Sequence, residues 1–246
     1  MASAISNLPF RGTILNTLTV AVGATVGLLI GQELPDKYKE IALIGIALVN
    51  LGMGVKLFLE TKNVLIPTIA ILIGGLLGTL LSIDAGVAAI AEQMRRALGG
   101  DGDFNVGLIT ASVLFCVGPM TLLGCIKDGL NRDIELLAVK SVFDMIAAVM
   151  FAAALGTGVL ASAVVVLVVQ GLLTALAKPL RPLVEKPQLA SEASAAGGLI
   201  LIAIGLSVMG LKKISTELFL PALVIAPLVA PLLLKKDQLI APSTDS

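Results

Sequence analysis

Histidine and tryptophan are absent from the 246 residues, and tyrosine occurs once. Without histidine, the chain has no Ser-His-Asp triad, no imidazole metal ligand and no imidazole proton relay. Without tryptophan, and with a single tyrosine, it lacks most of the aromatic belt that usually marks the two faces of a membrane. The classes of site that depend on imidazole are therefore excluded.

Charge and cysteine are also scarce. Only 14% of the residues are charged, and 17 basic residues balance 17 acidic ones, so no global field favours nucleic acid and we expect no nucleic-acid partner. The two cysteines, Cys116 and Cys125, would point to opposite sides of one helix, which disfavours a disulfide or a metal pair. Because P-loop, HExxH, GxSxG and Rossmann glycine patterns are missing as well, we expect no metal, no cofactor and no enzyme activity.

Apolar residues make up 57% of the chain, against about 45–50% in soluble domains. They recur in blocks long enough to cross a hydrocarbon core of about 30 Å as helices. The composition predicts an all-α fold, a polytopic transmembrane helical bundle with seven or eight spans, in one integral-membrane domain over residues 1–236. The eight predicted spans are 12–31, 40–58, 64–82, 105–124, 135–153, 157–178, 197–211 and 217–234.

Two of these spans are less regular than the others. Only Gly156-Thr157-Gly158 separates the fifth from the sixth, and since a single helix of that combined length would be too long, we predict a tight hairpin there. The seventh span is short and rich in glycine, which is also compatible with a partial or broken helix. The number of spans is therefore seven or eight.

Two segments lie outside the predicted spans. In residues 83–98 the apolar positions fall on one helical face, which is typical of an amphipathic helix lying in the interface. Residues 237–246 are expected to be a disordered tail.

With eight spans both termini share one side, which carries eleven of the 17 lysines and arginines. The positive-inside rule then predicts that both termini lie in the cytoplasm.

The chain also shows internal similarity. The segment "IGIALVNLGMGVK" (44–56) aligns with "ILIAIGLSVMGLK" (200–212), and "GTILNTLTV" (12–20) aligns more weakly with "GVLASAVVV" (158–166). Spans 1–3 would then repeat as spans 6–8 in the opposite direction, which is an inverted repeat of the kind found in many secondary transporters. The alternative is that apolar helices resemble one another through composition alone.

The fourth span contains Gly118 and Pro119 near its middle. Proline removes a backbone donor and crowds the carbonyl four residues earlier, so a kink with free carbonyls is expected. Ser112 and Thr121 place hydroxyls near that kink. Irregular backbone is tolerated in a membrane only where protein or a water-filled cavity meets it. The kink is therefore either a substrate or ion site or a structural bend satisfied by neighbouring hydroxyls.

Asp144 lies within the apolar run "LLAVKSVFDMIAAVMFAAALGTGV" (136–159), one helical turn after Lys140. An intramembrane charge costs at least about 2.5–3.5 kcal/mol on insertion scales, so Asp144 should be paired, protonated or hydrated. It is a candidate for proton or cation binding. A structural ion pair with Lys140 is the alternative.

Three amides, Asn16, Asn50 and Gln170, also lie inside predicted spans. Lipid cannot satisfy their donors and acceptors, so they either line a polar cavity with Asp144 and Thr121 or link helices.

Span one further carries a ridge of small residues at Gly23, Gly27 and Gly31. Such a ridge lets two helix backbones approach closely in lipid. It would form either a contact between two copies of the chain or a close contact within one subunit.

Several motifs combine these polar positions. "TASVLFCVGPMTLLGCIKDGL", "AVKSVFDMIAAVMFAAALGTGVL" and "GGLILIAIGLSVMGLKKI" resemble the bacterial membrane protein family of unknown function numbered 554, the YqgA/YdfK-like proteins. The resemblance covers nearly the whole chain, and Cys116, Gly118, Asp128, Gly129, Lys140, Ser141 and Asp144 fit the family pattern. It implies an inner-membrane protein with no assigned activity or substrate.

These features favour a secondary transporter or channel for a small solute or ion. The second hypothesis is a non-transporting membrane scaffold or signalling partner, and a weaker third is a membrane enzyme acting on lipid. A transporter predicts that Asp144, Pro119 and at least one amide line a common cavity near the midplane.

Overall fold

The structure is a computed structural model that describes residues 10–33, 35–99, 104–212 and 214–234. The predicted C-terminal tail, 237–246, lies outside these residues. The described part of the chain is helical and contains no strand, as predicted. The helices are α1 (Arg11–Glu33), α2 (Asp36–Phe58), α3 (Leu65–Leu80), α4 (Ile83–Leu98), α5 (Phe104–Cys116), α6 (Pro119–Asn131), α7 (Glu135–Leu155), α8 (Thr157–Ala175), α9 (Arg181–Glu185), α10 (Pro187–Val208) and α11 (Ala222–Leu233), with a 3₁₀ turn at Thr216–Phe219 before α11.

Six helical segments among the described residues are long and apolar enough to cross a membrane. Two further segments are bent pairs, α3 with α4 at 69° and α5 with α6 at 60°. If each bent pair forms one crossing, the total is eight, which agrees with the predicted seven or eight spans. The large side chains that remain exposed are mainly aliphatic, such as Leu76, Leu80 and Leu232, as expected for surfaces that face lipid.

The predicted hairpin between the fifth and sixth spans is present. α7 ends at Leu155 and α8 begins at Thr157. Gly156 joins them with φ 75° and ψ −154°, a backbone conformation that only glycine adopts readily.

The predicted seventh span, 197–211, is wrong at its start. α10 is a continuous helix over Pro187–Val208, so it begins ten residues earlier and is neither partial nor broken. Its first half, "PQLASEASAA", has little hydropathy but consists mostly of small helix-compatible residues after a proline at N1. Burial among the other helices, rather than apolar length, allows this segment to lie inside the bundle.

The glycine ridge of α1 packs against α7 of the same chain. A Cβ atom at Gly23, Gly27 or Gly31 would collide with a backbone carbonyl oxygen of α7, those of Met145, Val149 and Ala153 in turn. The two helices therefore run parallel in close contact. The ridge therefore makes a close contact within one subunit, the second of the two alternatives, and a homo-oligomer stays a prediction.

The first and last described residues lie at the same end of the bundle. The backbone N–H of Gly12 donates to Asp128 near the end of α6, and Gly12 also contacts Leu137 near the start of α7. α2 returns toward this end from the far end of α1. Asn63, which follows α2, donates to the carbonyl of Leu233 at the end of α11, at 3.5 Å. We call this end of the bundle the terminal end.

The helices that the predicted inverted repeat would match contact one another. Thr13 of α1 bonds Thr174 of α8, Gly54 of α2 packs against Gly198 of α10, and Gly74 of α3 packs against Ala222 of α11. Antiparallel contact between matching helices is compatible with an inverted repeat. The repeat itself stays a prediction.

The segment predicted as an interfacial helix, 83–98, forms α4 with these bounds and ends at Gly99 in the left-handed region, φ 68°. On its polar side, hydrogen bonds from Arg95 and Arg96 lower the pKa of Glu92 to about 2. Its place in the membrane interface stays a prediction.

Candidate functional site

The central ion pair lies within α7. Asp144 is the tenth of the 21 residues of this helix, so it stands near the middle of the span. Lys140 Nζ donates to both carboxylate oxygens of Asp144, each at 2.7 Å. The exposed fractions of the two residues are 8% for Lys140 and 5% for Asp144, so the pair is removed from solvent rather than placed at the rim of the bundle.

A second helix contributes to the same carboxylate. Asn16 of α1 donates from Nδ2 to Asp144 Oδ2 at 2.9 Å, and Asn16 is fully buried. This contact is possible because α1 and α7 run parallel at the glycine ridge, which brings one amide and one carboxylate to the same level. Asn16 Oδ1 has no hydrogen-bond partner in the described part of the chain. The three side chains form what we call the central polar site: Asp144, Lys140 and Asn16.

The fourth span is broken where its sequence predicted a kink. α5 ends at Cys116 and α6 begins at Pro119, with Gly118 between them at φ 139° and ψ 153°. This conformation is essentially restricted to glycine. The break leaves the Phe115 carbonyl without the N–H of residue 119, because that residue is proline.

Two buried side chains donate long hydrogen bonds to the freed carbonyl. Phe115 O accepts from Thr121 Oγ1 at 3.2 Å and from Gln170 Nε2 of α8 at 3.5 Å. Thr121 and Gln170 are both fully buried. The structure therefore brings together the predicted residues Gly118, Thr121 and Gln170 around one turn of backbone that lacks its helical hydrogen bond.

Asn50 lies on the buried face of α2, one turn before Gly54, which packs against Gly198 of α10. Ile46, one turn before it, shares an apolar cluster with Phe115, and Met53, three residues after it, packs in another with Val113. Asn50 is fully buried, and no described residue bonds either of its side-chain polar atoms. A buried amide with no protein partner usually meets water or a ligand.

The central polar site and the break are neighbours. Cys116, the last residue of α5, packs against the apolar cluster that contains Ala148 of α7, one turn after Asp144. The break also separates the cysteines, which lie on different helices and are both free thiols. A polar centre thus extends from α1 and α7 to the end of α5.

A cavity of about 540 Å³ runs beside this centre. Its lining is almost entirely apolar and comes mainly from α4, α5, α8 and α11. Of the predicted site residues, only Ser112 and Gly118 line it. Asp144, Lys140 and the three amides do not line it. This cavity is therefore not the predicted common cavity of Asp144, Pro119 and an amide.

A third buried carboxylate is not among the site residues predicted from the sequence. Glu192 of α10 is fully buried and accepts from Thr61 Oγ1 at 2.5 Å and from the backbone N–H of Lys62 at 2.9 Å. It ties α10 to the turn between α2 and α3. The sequence signal for it is its place in "LASEASAA", a helix-compatible stretch that lies between the predicted sixth and seventh spans.

Asp128 was noted only through the family pattern. The structure places it at the terminal end, where its Oδ2 accepts from the N–H of Gly12 at 3.0 Å. This carboxylate therefore caps the first turn of α1, where free N–H groups favour an anion.

The fold and these buried polar groups define a multi-pass helical membrane protein. The chain belongs to the family described as "Protein of unknown function (DUF554)", whose model matches residues 11–231. It is 28% identical to the "Uncharacterized membrane protein YdfK" of Bacillus subtilis (strain 168) over 222 residues, covering 89% of this chain and 94% of that protein. It is 30% identical to the "Uncharacterized protein YqgA" of Escherichia coli (strain K12) over 221 residues, covering 87% and 94%. No solved structure matches.

Proposed function

We propose that this chain is a secondary transporter or channel for a small solute or ion, and that the central polar site binds the transported species or its coupling proton. The observation that carries the proposal is the buried Asp144–Lys140 pair at mid-span, bonded to Asn16 of a parallel helix. Ionisable residues at such depth usually serve substrate or ion pathways.

The broken fourth span supports the same function. Discontinuous helices at the middle of the bilayer place free backbone groups where transporters bind ions and substrates. In this chain the α5–α6 break adjoins the central polar site, and Asn50 and Gln170 keep buried side-chain atoms without partners among the described residues.

A non-transporting scaffold or signalling partner is the second candidate. Its support is that the Asp144 carboxylate already has three donor contacts, two from Lys140 and one from Asn16. A carboxylate so fully bonded can serve packing alone, as a link between α1 and α7.

Transport is tested by flux into proteoliposomes that hold the purified protein. A pH-sensitive dye inside the liposomes reports proton movement when gradients of different monovalent cations are applied. Labelled amino acids test solute uptake. We expect flux above that of empty liposomes in the wild type and a loss of about tenfold or more in Asp144→Asn, since one removed charge contact is worth at least about 1.4 kcal/mol.

Ser141→Ala is the matched control. Ser141 is the buried neighbour of Lys140, and its hydroxyl bonds the Leu137 carbonyl rather than the central polar site. Its flux should stay near that of the wild type. Equal flux in wild type and Asp144→Asn, or no flux above empty liposomes, would overturn the proposed role and favour the scaffold.

We also propose that the protein lies in the inner membrane with both termini in the cytoplasm. The support for the orientation is the charge count, eleven lysines and arginines assigned to one side against six on the other, or ten against six once Lys140, which is buried within α7, is left out. The shared end of the first and last described residues also supports it.

A further inference from the structure

The Phe115 carbonyl is bonded more weakly than a buried acceptor usually is. Its contacts are 3.2 Å to the Thr121 hydroxyl and 3.5 Å to the Gln170 amide. Ordinary bonds of these two kinds are about 2.7–2.8 Å and 2.9–3.0 Å long. Two fully buried side chains thus stand around one strong acceptor without approaching to normal bonding distance.

The orientation of the Gln170 amide has a second solution. The oxygen and nitrogen of an amide group are assigned from the hydrogen bonds around them. With Nε2 toward Phe115, Oε1 is buried and has no partner among the residues that the structure describes. Around a bound cation, a half rotation of the amide would direct Oε1 rather than Nε2 to the Phe115 side, so that three oxygens converge on the ion: Phe115 O, Thr121 Oγ1 and Gln170 Oε1.

Three converging oxygens form a cradle for a cation. Oxygen ligands lie about 2.3–2.6 Å from Ca²⁺, and Na⁺ has nearly the same ionic radius. Two such ligands at right angles around the ion are therefore about 3.4 Å apart, by the same geometry. The observed separations from the Phe115 oxygen, 3.2 and 3.5 Å, match this spacing.

The charge distribution also favours a cation. α5 ends at Cys116, and the carbonyl end of a helix carries about half a negative charge. Lys140 and Asp144 of the neighbouring helix α7 neutralise each other through their own bonds. A monovalent ion on the Phe115 side of the break is thus attracted by the carbonyl end of α5 and is not opposed by a free positive charge of that pair, while the N-terminus of α6, which begins at Pro119, adds a partial positive charge on the other side of the break.

We propose that the break between α5 and α6 binds a monovalent cation of sodium size, held by the Phe115 carbonyl, the Thr121 hydroxyl and the Gln170 amide oxygen. Water completes the coordination shell. Neutral oxygens and a helix carbonyl end bind sodium in this way in transporters with discontinuous helices. The role of this cation as a coupling ion rests on the proposed transport function, whereas its binding does not.

The test is thermal unfolding of the purified protein in detergent without sodium. Choline chloride is replaced stepwise by NaCl, or by KCl, at constant ionic strength. A ligand that binds only the folded state raises the unfolding temperature, so we expect a saturable rise with NaCl and a smaller one with KCl. In Thr121→Val and Gln170→Leu the sodium concentration for half the rise should increase about tenfold or more, because each change removes one ligand oxygen.

Matched variants separate this site from others. Thr121→Ser keeps the hydroxyl and should keep the response, and Gln170→Glu adds a charge and should respond at lower sodium. Ser162→Ala removes a buried hydroxyl that bonds Val159 in α8 and should leave the response unchanged. If Thr121→Val does not fold, the opposite shifts expected for Gln170→Leu and Gln170→Glu test the site without it.

Three results would overturn the inference. The first is a wild-type unfolding temperature that does not rise specifically with sodium. The second is an unchanged rise in Thr121→Val and Gln170→Leu. The third is loss of the rise in Asp144→Asn while Thr121→Val keeps it, which would place the ion at the central polar site. None of these measurements uses flux. A protein that binds sodium and moves nothing refutes only the transport proposal, and a protein that transports without sodium stabilisation refutes only this site.

Discussion

At the residue scale, the decisive feature is a carboxylate and an ammonium group that satisfy each other away from water. A surface ion pair contributes only about 0–1 kcal/mol. Asp144 and Lys140 are instead at least nine-tenths buried, so removal of either partner leaves a charge with little solvation. The contribution of each residue is therefore conditional on the other.

Lys140→Met tests this dependence. The change leaves Asn16 as the remaining side chain that donates to the Asp144 carboxylate among the described residues. Breaking a buried pair in this way costs about 3–5 kcal/mol. We expect a large fall in the unfolding temperature of the purified protein. The double variant Lys140→Met/Asp144→Asn removes both charges and should recover most of the loss, as a double-mutant cycle would record. A double variant as unstable as the sum of the two single variants would contradict the coupling.

At the element scale, the parallel contact between α1 and α7 sets the position of Asn16. The contact depends on Gly23, Gly27 and Gly31, because a Cβ atom at each would meet a carbonyl oxygen of α7. The same ridge thus explains both the close packing of two helices and the amide that reaches Asp144.

Gly27→Ala is expected to force the two helices apart. Overpacking of this kind costs about 1–3 kcal/mol or more, and it should weaken the Asn16–Asp144 bond as well. The measurement is thermal unfolding together with the folded fraction on size-exclusion chromatography. Gly52→Ala is the control, since nothing lies within 4 Å of a Cβ atom there, and it should be neutral or gain about 0.5–1 kcal/mol. Equal loss in both variants would show that the ridge is not the cause.

The helices also show what a sequence predicts well and poorly. Pro119 and Gly118 predicted the α5–α6 break, because a missing N–H and a positive φ are local properties. The start of α10 was not predictable from hydropathy. Its first ten residues are small and polar, and only their packing inside the bundle places Glu192 at the turn with Thr61.

At the scale of the whole molecule, polar groups lie inside and aliphatic side chains outside. Leu232, Leu80 and Leu76 are among the most exposed residues, while Asp144, Asn16 and Gln170 are buried. Lipid supplies no partners for buried polar groups, so they pair with one another or with ligands. This arrangement is the basis for proposing transport rather than a site on the outer surface.

If each bent pair forms one crossing, the eight crossings place both termini on one side of the membrane. We expect a fluorescent reporter fused to either terminus to be active in the cytoplasm and alkaline phosphatase at the same positions to be inactive. A phosphatase fusion after Gly99, at the opposite end of the bundle from Gly12, should be active. Different sides for the two termini would refute the topology, and two external termini would refute only the charge-based orientation.

Family membership supports the membrane class but assigns no activity, since the names of the two matching relatives give none.

The sequence predicted the membrane class, the hairpin at Gly156, the break at Pro119 and the candidate Asp144, because span length, proline and an isolated acid act locally. Which partners those residues meet did not follow. Asn16 is 128 positions from Asp144, and Gln170 is 55 from Phe115. Only the packing of parallel and antiparallel helices decided that these groups converge, since apolar periodicity shows which residues are buried but not which helices face each other.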